Sequence, residues 1–406
     1  MKTWNSIVHP RTIGDNMSMP TGRSIELITE LIAVDTTSRD SNLPLIELIE
    51  DQLTEHGIES VKIPSPDGLK ANLLTTIPAV DGSRTGGIVL SGHTDVVPVD
   101  GQAWRSEPFA AQVRDGKLYG RGSCDMKGYL GVILAKLPEL TAAELSEPIH
   151  LAFSYDEEIG CVGAVSLVER IVEQGLAPRG CFVGEPSSMR AIRGHKSMNV
   201  FKVSFAGVAA HSSLPSEGLN AISYALRFAS FVEGVARELA STGPRDKSFI
   251  EPTTTMNVNR FDGGIAVNTI PSSCVVFFEY RSLAQVDREA LTERFRVEAE
   301  RLETEMVRRN PAASVSFEQQ AGAPGLETAP GEDIVGLAAA CGAIATDEKV
   351  TYGTEAGLFS SAGIPTVVCG PGDIAQAHAP DEFIELDQIA ACERFIDQLM
   401  IQLSTS

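Results

Sequence analysis

The stretch Ile88–Pro98, with the sequence IVLSGHTDVVP, constrains the fold of this chain more than any other segment. A β-branched, apolar run ends at Ser91 and Gly92 and is followed by His93 and Asp95, which share one face if the chain stays extended. Such a run predicts a strand that is buried on both faces. It gives His93 a rigid base, which suits either a metal ligand or a core histidine satisfied by its neighbour.

Side chains of the metal-ligand type follow several other strand-like or glycine-rich segments. Asp125 lies between a glycine-punctuated loop and an apolar helix, and the apolar run IHLAFSY is followed by Glu157 and Glu158. Further on, VGEPSS carries Glu185 and QAHAPDEF carries His378. Ligand sites of α/β folds lie beyond the carboxyl ends of the strands, so we expect these side chains at one edge of a sheet.

The order of strands and helices predicts two domains. Residues 1–194 and 316–406 alternate strands with helices, which predicts one discontinuous α/β domain with a central mixed, largely parallel sheet and flanking helices. Residues 195–315 carry strand, helix, two strands, helix and strand, the order of an α+β ferredoxin-like unit. We therefore predict a second domain inserted into the first, with hinges near Gly194 and Phe317.

Charge and cysteine usage argue against several classes of function. The 54 acidic and 33 basic residues give a net charge of −21, which disfavours nucleic acid and anionic membranes as partners. The seven cysteines form no CxxC pair, which predicts reduced thiols and a cytoplasmic location. No run of 18 apolar residues occurs, so no transmembrane helix is predicted.

The residue types at the predicted sheet edge favour a divalent cation. Two imidazoles and three carboxylates suit zinc, with cobalt or manganese as possible substitutes: His93, His378, Asp125, Glu158 and Glu185. Five ligands exceed the three protein ligands of a mononuclear catalytic zinc site. If one carboxylate bridges, they can hold two cations about 3.5–4 Å apart, as in two-metal hydrolases.

The set SGHTDVVP, GRGSCDMKG, YDEEIGCVGA, VGEPSS and QAHAPDEF resembles the M20 peptidase family of dimetal amidohydrolases, over about residues 24–403. The resemblance implies two zinc ions per subunit, with Asp125 as the bridging ligand. It implies that one ion is also held by His93 and Glu185, and the other by Glu158 and His378.

The resemblance also implies roles for the neighbours of these ligands. Asp95 would orient His93, and Glu157 would be the general base that takes a proton from the attacking water and returns it to the leaving amine. If the chain stays extended there, Glu157 and Glu158 face opposite sides, so that one binds metal and the other faces the water. A nucleophilic Cys161 is disfavoured, since the adjacent carboxylates raise the pKa of its thiol.

By the same resemblance, the inserted domain is a lid and the dimerisation module of a homodimer. His211 would reach the partner subunit's active site and stabilise the tetrahedral oxyanion. Asn268 and Arg281 would contact a small-molecule N-acyl amino acid, and the Arg281 guanidinium suits a bidentate grip on its α-carboxylate.

The segment YGTEAG resembles the version found in the acetylornithine deacetylases of the family. Gly353 and Thr354 would offer backbone and hydroxyl groups to a substrate carboxylate, while Glu355 would attract a cationic side chain or act as a structural hydrogen-bond acceptor. The resemblance favours hydrolysis of Nα-acetyl-L-ornithine to L-ornithine and acetate in arginine biosynthesis. The alternatives are a desuccinylase of succinyl-diaminopimelate, an aminoacylase, a dipeptidase or a catalytically silent metal-binding scaffold.

Overall fold

The computed structural model describes residues 19–404. Its α-helices, in chain order, are α1 (Gly22–Ala33), α2 (Leu43–Glu55), α3 (Lys127–Ala135), α4 (Leu137–Ala142), α5 (Val162–Glu173), α6 (Ala221–Thr242), α7 (Arg288–Arg309), α8 (Asp333–Ala340), α9 (Ala356–Ser361) and α10 (Leu386–Leu403). None of these helices combines the length and the apolar character needed to cross a membrane.

The strands alternate with these helices over much of the chain. In order they are β1 (Ser60–Pro64), β2 (Ala71–Ile77), β3 (Ile88–His93), β4 (Gln112–Arg114), β5 (Lys117–Tyr119), β6 (Ile149–Ser154), β7 (Gly180–Pro186), β8 (Arg190–Ala191), β9 (Gly194–His195), β10 (Met198–Ala206), β11 (Ala210–His211), β12 (Thr255–Gly263), β13 (Thr269–Ile270), β14 (Ser273–Arg281), β15 (Ser314–Ala323), β16 (Leu326–Glu327), β17 (Ile344–Ala345), β18 (Thr366–Gly370) and β19 (Phe383–Glu385).

A mixed six-stranded sheet with the strand order β1-β2-β6-β3-β7-β18 forms the centre of the molecule. Strands β6, β3, β7 and β18 run parallel to one another, whereas β1 and β2 are antiparallel to their neighbours. The prediction of a central mixed, largely parallel sheet with flanking helices is confirmed. The parallel strands bring their carboxyl ends to one edge of the sheet, where α/β folds build their sites.

Strand β3 is buried along its whole length, as its apolar run predicts. Ile88 and Leu90 pack against the core formed with α1, α3 and α10, whereas Val89 packs on the opposite face against the core formed with α5 and α9. The close crossing of α1 and α3 depends on Gly131, because a Cβ at that position would lie 2.4 Å from a side-chain carbon of Ile28. The end of β3 is therefore fixed by packing on both faces.

A second sheet, entirely antiparallel, has the strand order β12-β14-β10-β15. Alternate residues of β10 and β14 are buried against α6 and α7, and they form a hydrophobic core of their own. We call residues 198–323, which contain this sheet and its helices, the second region. The remaining described residues, 19–197 and 324–404, are the first region.

The chain passes between the two regions at two adjacent points. Strand β9 pairs with β16, so that His195 lies opposite Leu326. Strand β15 continues to Ala323 and pairs with β10 throughout, which means that the boundary expected at residue 315 falls inside a strand. Phe317, expected near a hinge, pairs with Val203 in the middle of the sheet.

Polar contacts also link the regions beside these crossing points. The Lys349 ammonium of the first region contacts Asp246 of the second at 2.7 Å, and it also contacts Glu327 of the first. The main-chain N–H of Lys349 donates to the carbonyl of Ser248 at 3.0 Å. The buried ammonium of Lys196 donates to the carbonyl of Thr253 at 2.6 Å. The segment that follows α6 is thus attached to the first region.

Candidate metal centre

His93 occupies the end of β3 and is held by both of its ring nitrogens. Nδ1 lies 2.9 Å from the main-chain carbonyl oxygen of Asp95, and Nε2 lies 2.9 Å from Oδ1 of Asp125 and 3.6 Å from Oε1 of Glu185. The side chain is 1% exposed. Asp95 thus orients the imidazole mainly through its backbone, since its carboxylate is 3.5 Å from Nδ1.

The Asp95 carboxylate has a different set of partners from those that the sequence suggests. It accepts the main-chain N–H of Glu157 at 3.0 Å and that of Glu158 at 3.3 Å. It also accepts the Ser38 hydroxyl at 2.7 Å. Asp95 therefore fixes the segment that carries the two glutamates. No local pattern identifies Ser38, because it precedes Asp95 by 57 residues.

The two adjacent glutamates lie in a turn and not in an extended strand. Strand β6 ends at Ser154, and Asp156 adopts a left-handed backbone conformation with φ of 56°. The chain is therefore not extended at Glu157 and Glu158, as the prediction that they face opposite sides assumes. The turn nevertheless gives them different neighbours, since Glu157 accepts the Cys161 thiol at 3.1 Å and Glu158 contacts His378.

Asp125 lies between the two histidines. Its Oδ1 faces His93, as described above, and its Oδ2 lies 3.1 Å from Nε2 of His378. The same His378 nitrogen lies 3.0 Å from Oε2 of Glu158. The His378 side chain is 50% exposed, whereas those of Asp125 and Glu158 are 4% and 6% exposed. The cluster is thus open to solvent on the side of His378.

The five predicted ligands converge at this edge of the sheet, and Glu157 joins them. Two sets of side chains place one possible ligand atom each within 4.8 Å of one another: His93, Glu157 and Glu185, and His93, Asp125 and Glu158. Atoms that bind one zinc ion at about 2.0–2.2 Å in a tetrahedral arrangement lie ~3.4 Å apart. The observed contacts between histidine nitrogens and carboxylate oxygens, 2.9–3.6 Å, are close to that spacing.

The electrostatics of the cluster favour positive charge at its centre. Burial raises the pKa of Glu157, Glu158 and Glu185, and the charges of neighbouring carboxylates add to the effect. Burial alone would lower the pKa of His378, but hydrogen bonds with Asp125 and Glu158 raise it to about 11. Crowded carboxylates bind protons or cations, and a divalent cation stabilises their charged form.

One oxygen provides a specific test of whether these residues fit a metal ion. Glu185 Oε1 is buried, and no hydrogen-bond partner is present for it within residues 19–404. A buried polar atom without a partner is costly, and a carboxylate oxygen directed at a histidine nitrogen 3.6 Å away is suitably placed to bind a cation. The donor set and this oxygen therefore fit a metal centre.

The candidate residues of the second region lie elsewhere. His211 is exposed, pairs through β11 with Thr269, and hydrogen bonds the Ser213 hydroxyl at 2.7 Å through Nδ1. Asn268 is exposed, and its main-chain carbonyl oxygen accepts a hydrogen bond from the main-chain N–H of Ser212. Arg281 is partly buried and lies 3.5 Å from Glu279. Neither set of possible metal ligands found in residues 19–404 includes any of these side chains.

Thr354 and Glu355 are packed into the first region, whereas Gly353 is half-buried beside Lys196 and Met198, at the boundary between the regions. The buried Thr354 hydroxyl hydrogen bonds Nε2 of His195 at 3.1 Å and accepts the N–H of Ala356. The Glu355 carboxylate is fully buried and accepts the hydroxyls of Ser91 and Ser154, one from β3 and one from β6. Of the two roles considered for Glu355, these contacts favour the structural acceptor.

All seven cysteines lie in the described range, and each is buried and free of disulfide bonds. Burial raises the pKa of the Cys161 thiol, and the charge of Glu157 raises it further. Burial also raises the pKa of the Cys124 thiol. A thiolate nucleophile is therefore disfavoured at both positions beside the cluster.

Comparison with known proteins identifies the family. The profile of peptidase family M20/M25/M40 matches residues 89–402. This chain belongs to that family. Two relatives are named acetylornithine deacetylase. The one from Myxococcus xanthus is 33% identical to this chain over 369 residues, and the one from Photorhabdus laumondii is 34% identical over 387 residues. The alignments cover 90% and 93% of this chain and 93% and 96% of those relatives. As a member of the M20 family, the chain is a hydrolase.

Solved structures of the M20 type share the fold. An M20 family metallo-carboxypeptidase from Sulfolobus solfataricus has a TM-score of 0.74 at 17% identity, covering 94% of this chain and 99% of that one. A tripeptidase from Staphylococcus aureus has a TM-score of 0.69 at 19% identity, covering 95% and 99%. At identities this low, the similarity shows a shared fold and says nothing about the substrate of this chain.

Proposed function

We propose that the protein hydrolyses the amide bond of an N-acyl amino acid with the help of two divalent cations, zinc in the first instance and cobalt as a substitute. His93 and Glu185 would hold one cation, Glu158 and His378 the other, and Asp125 both. The observation that carries the proposal is the convergence of these five side chains, with the otherwise unpartnered Glu185 oxygen among them.

In such a reaction, the cations and Glu157 would have different roles. When bound, a pair of divalent cations polarises the amide carbonyl and activates a water molecule. Glu157, buried beside His93 and Glu185 and held through its N–H by Asp95, is placed to accept the proton of the attacking water. It then delivers this proton to the amine nitrogen as the amide C–N bond breaks, which gives a neutral amine and a carboxylic acid. The acid loses its proton and the amine gains one to reach their ordinary charged forms.

Nα-acetyl-L-ornithine is the proposed substrate, with L-ornithine and acetate as products and arginine biosynthesis as the setting. The proposal is supported by relatives named acetylornithine deacetylase that align over more than nine-tenths of their length. Succinyl-diaminopimelate, other acylated amino acids and dipeptides are the alternatives within the family. A silent metal-binding scaffold is disfavoured, because the chain retains the complete ligand set together with Glu157.

We further propose that the second region is a ferredoxin-like lid that also joins two subunits into a homodimer. Its strand order and its two helices support the fold assignment. Ile265 and Val267 in the loop before β13 are 89% and 105% exposed, which suits a surface covered by a second copy. In such a dimer, the partner subunit's His211 would approach the cluster, while Asn268 and Arg281 would bind the substrate. The free thiols suit a reducing, cytoplasmic setting.

The decisive experiment removes metal with a chelator, adds back zinc or cobalt in increments, and measures hydrolysis of a panel of substrates. Activity on Nα-acetyl-L-ornithine should appear with the bound metal and exceed that on acetylated neutral amino acids, N-succinyl-diaminopimelate and dipeptides. Activity confined to succinylated or dipeptide substrates would reject the substrate assignment.

A variant of the proposed base tests the mechanism separately. Glu157→Ala should bind metal as the unaltered chain does, while kcat falls by about 10²–10⁴-fold, the usual contribution of a general base. Asp397→Asn, which changes a partly exposed acid remote from the cluster, is the control and should leave both quantities unchanged. Unchanged turnover in Glu157→Ala would refute the role of this residue.

A further inference from the structure

A fully buried ion pair lies immediately behind the metal cluster. Arg121 is 0% exposed and Glu382 is 1% exposed, and Nη1 of Arg121 contacts Oε2 of Glu382. Two charges withdrawn from water in this way are costly unless their remaining donors and acceptors are used, so an ion pair in such a place is weak evidence for stability alone. The other partners of the two side chains therefore decide what the pair does.

The second oxygen of Glu382 holds the main chain that carries Asp125. Oε1 accepts the N–H of Cys124 at 2.9 Å and the N–H of Asp125 at 3.1 Å. Hydrogen bonds from main-chain amides to a carboxylate are charge-assisted and roughly twice as strong as neutral ones. The position of the Asp125 backbone is thus set by a side chain that lies 257 residues further along the chain.

The second arm of Arg121 holds the loop that carries His378. Nη2 donates to Oε1 of Gln102 at 2.6 Å, and the amide of Gln102 donates to the carbonyl of His378 at 3.1 Å. Trp104 supports this link, because its indole N–H donates to the same Gln102 oxygen at 2.9 Å. His378 itself has a left-handed backbone conformation, with φ of 59°, which needs support from its surroundings.

We propose that Arg121 and Glu382 form a positioning pair that sets the separation of Asp125 and His378, and through it the affinity for the cation that these two residues share. The inference rests on the proposed metal centre. Neither side chain touches a bound cation in this assignment. They act through the backbone of one ligand and the loop of the other, as outer partners of metal ligands commonly do.

The test measures metal affinity in Arg121→Lys and Arg121→Met. Lysine keeps the charge but cannot reach Glu382 and Gln102 at once with a planar, forked group, and methionine removes the charge. Competition of zinc with a chromophoric chelator should show weakening by about 10–100-fold for the ion that Asp125 and His378 would share, the usual range for outer-sphere changes. With cobalt as the probe, the visible absorption spectrum of the variants should differ from that of the unaltered chain.

A matched control separates positioning from general destabilisation. Lys136→Met removes the cation of another ion pair, in which Lys136 is 9% exposed and its partner Asp397 is 42% exposed, and neither residue is a candidate metal ligand. It should lower the melting temperature and leave zinc affinity and the cobalt spectrum unchanged. If the unaltered chain binds no zinc, the proposed function fails. If it binds zinc and a folded Arg121→Lys binds it equally well with the same cobalt spectrum, only the positioning role is overturned.

Discussion

The two regions of the molecule present their candidate functional residues in opposite ways. In the first region, side chains from the ends of parallel strands and the loops beside them approach one another to 2.9–3.6 Å, and all of them except His378 are buried. In the second region, His211 and Asn268 are exposed, and their hydrogen bonds are with Ser213 and Ser212, beside the paired strands β11 and β13. The candidate metal ligands thus come together within one chain, whereas His211 and Asn268 would need movement of the second region or a second chain to join them.

The largest expected effect comes from the first region. Asp125→Ala removes the only carboxylate that contacts both histidines of the cluster in the described residues, so both cations should be lost and activity should fall further than in Glu157→Ala. Metal content per chain and kcat are the measurements. Full metal occupancy in Asp125→Ala, with only a small change in kcat, would contradict a bridging role.

The second prediction addresses the second region directly. His211→Ala should retain its metal and lose about 10²–10³-fold in kcat, the usual effect of removing one donor to a developing oxyanion. A normal kcat in this variant would show that His211 takes no part in catalysis and is only a surface residue of the second region. The metal content distinguishes the two regions, because only substitutions in the first should reduce it.

Mixing inactive variants sharpens the comparison further. If the partner subunit's His211 completes each site, heterodimers of Glu157→Ala with His211→Ala contain one intact site, and an equimolar mixture should regain about a quarter of full activity. Heterodimers of Glu157→Ala with Asp125→Ala should regain none, because both residues belong to the same chain's cluster. Equal recovery in the two mixtures, or none in the first, would reject completion across subunits.

The difference between the regions also explains what sequence could predict. The positions of His93, Glu158 and Glu185 follow from local patterns, because they lie at or just beyond the ends of β3, β6 and β7 at the sheet edge. Asp125 and His378 lie in loops instead. The partners that hold those ligands are distant in sequence, as with Glu382 and Cys124, which are 258 residues apart. The boundary predicted near residue 315 falls inside β15 for a related reason. The length of β15 depends on its pairing with β10, which the polar sequence of β15 does not reveal.

The next prediction concerns Glu355, which could either bind the substrate or support the central sheet. Burial raises the pKa of its carboxyl group, and two serine hydroxyls occupy both of its oxygens. Glu355→Ala should lower the free energy of unfolding by about 1–3 kcal/mol, because both hydroxyls lose their acceptor. Glu355→Gln, which keeps one acceptor oxygen, should lose less.

The substrate panel decides between the two roles of Glu355. If the carboxylate bound the ornithine ammonium, Glu355→Gln would raise KM for Nα-acetyl-L-ornithine selectively, compared with acetylated neutral amino acids. Because the side chain is buried away from solvent, we expect the ratio of the two KM values to stay unchanged. A selective rise would restore the recognition role.

The smallest expected effect concerns the contact between the regions. Lys349→Met breaks the ion pair with Asp246 across the boundary, whereas the control Arg190→Met breaks the exposed pair with Glu348, which lies within the first region. Because neither Lys349 nor Asp246 is a candidate metal ligand or substrate contact, kcat/KM should change by less than about fivefold in Lys349→Met.

The informative measurement for this variant is the distance between the regions, obtained from a pair of fluorescent labels, one on each. In Lys349→Met the distribution of distances should broaden, because the segment after α6 loses one of its attachments to the first region. In Arg190→Met it should keep its width. Identical distributions in the two variants would show that the remaining contacts, from Lys196 to Thr253 and from the Lys349 main chain to Ser248, suffice to hold the regions together. The Lys349 ammonium would then have no part in limiting movement between the regions.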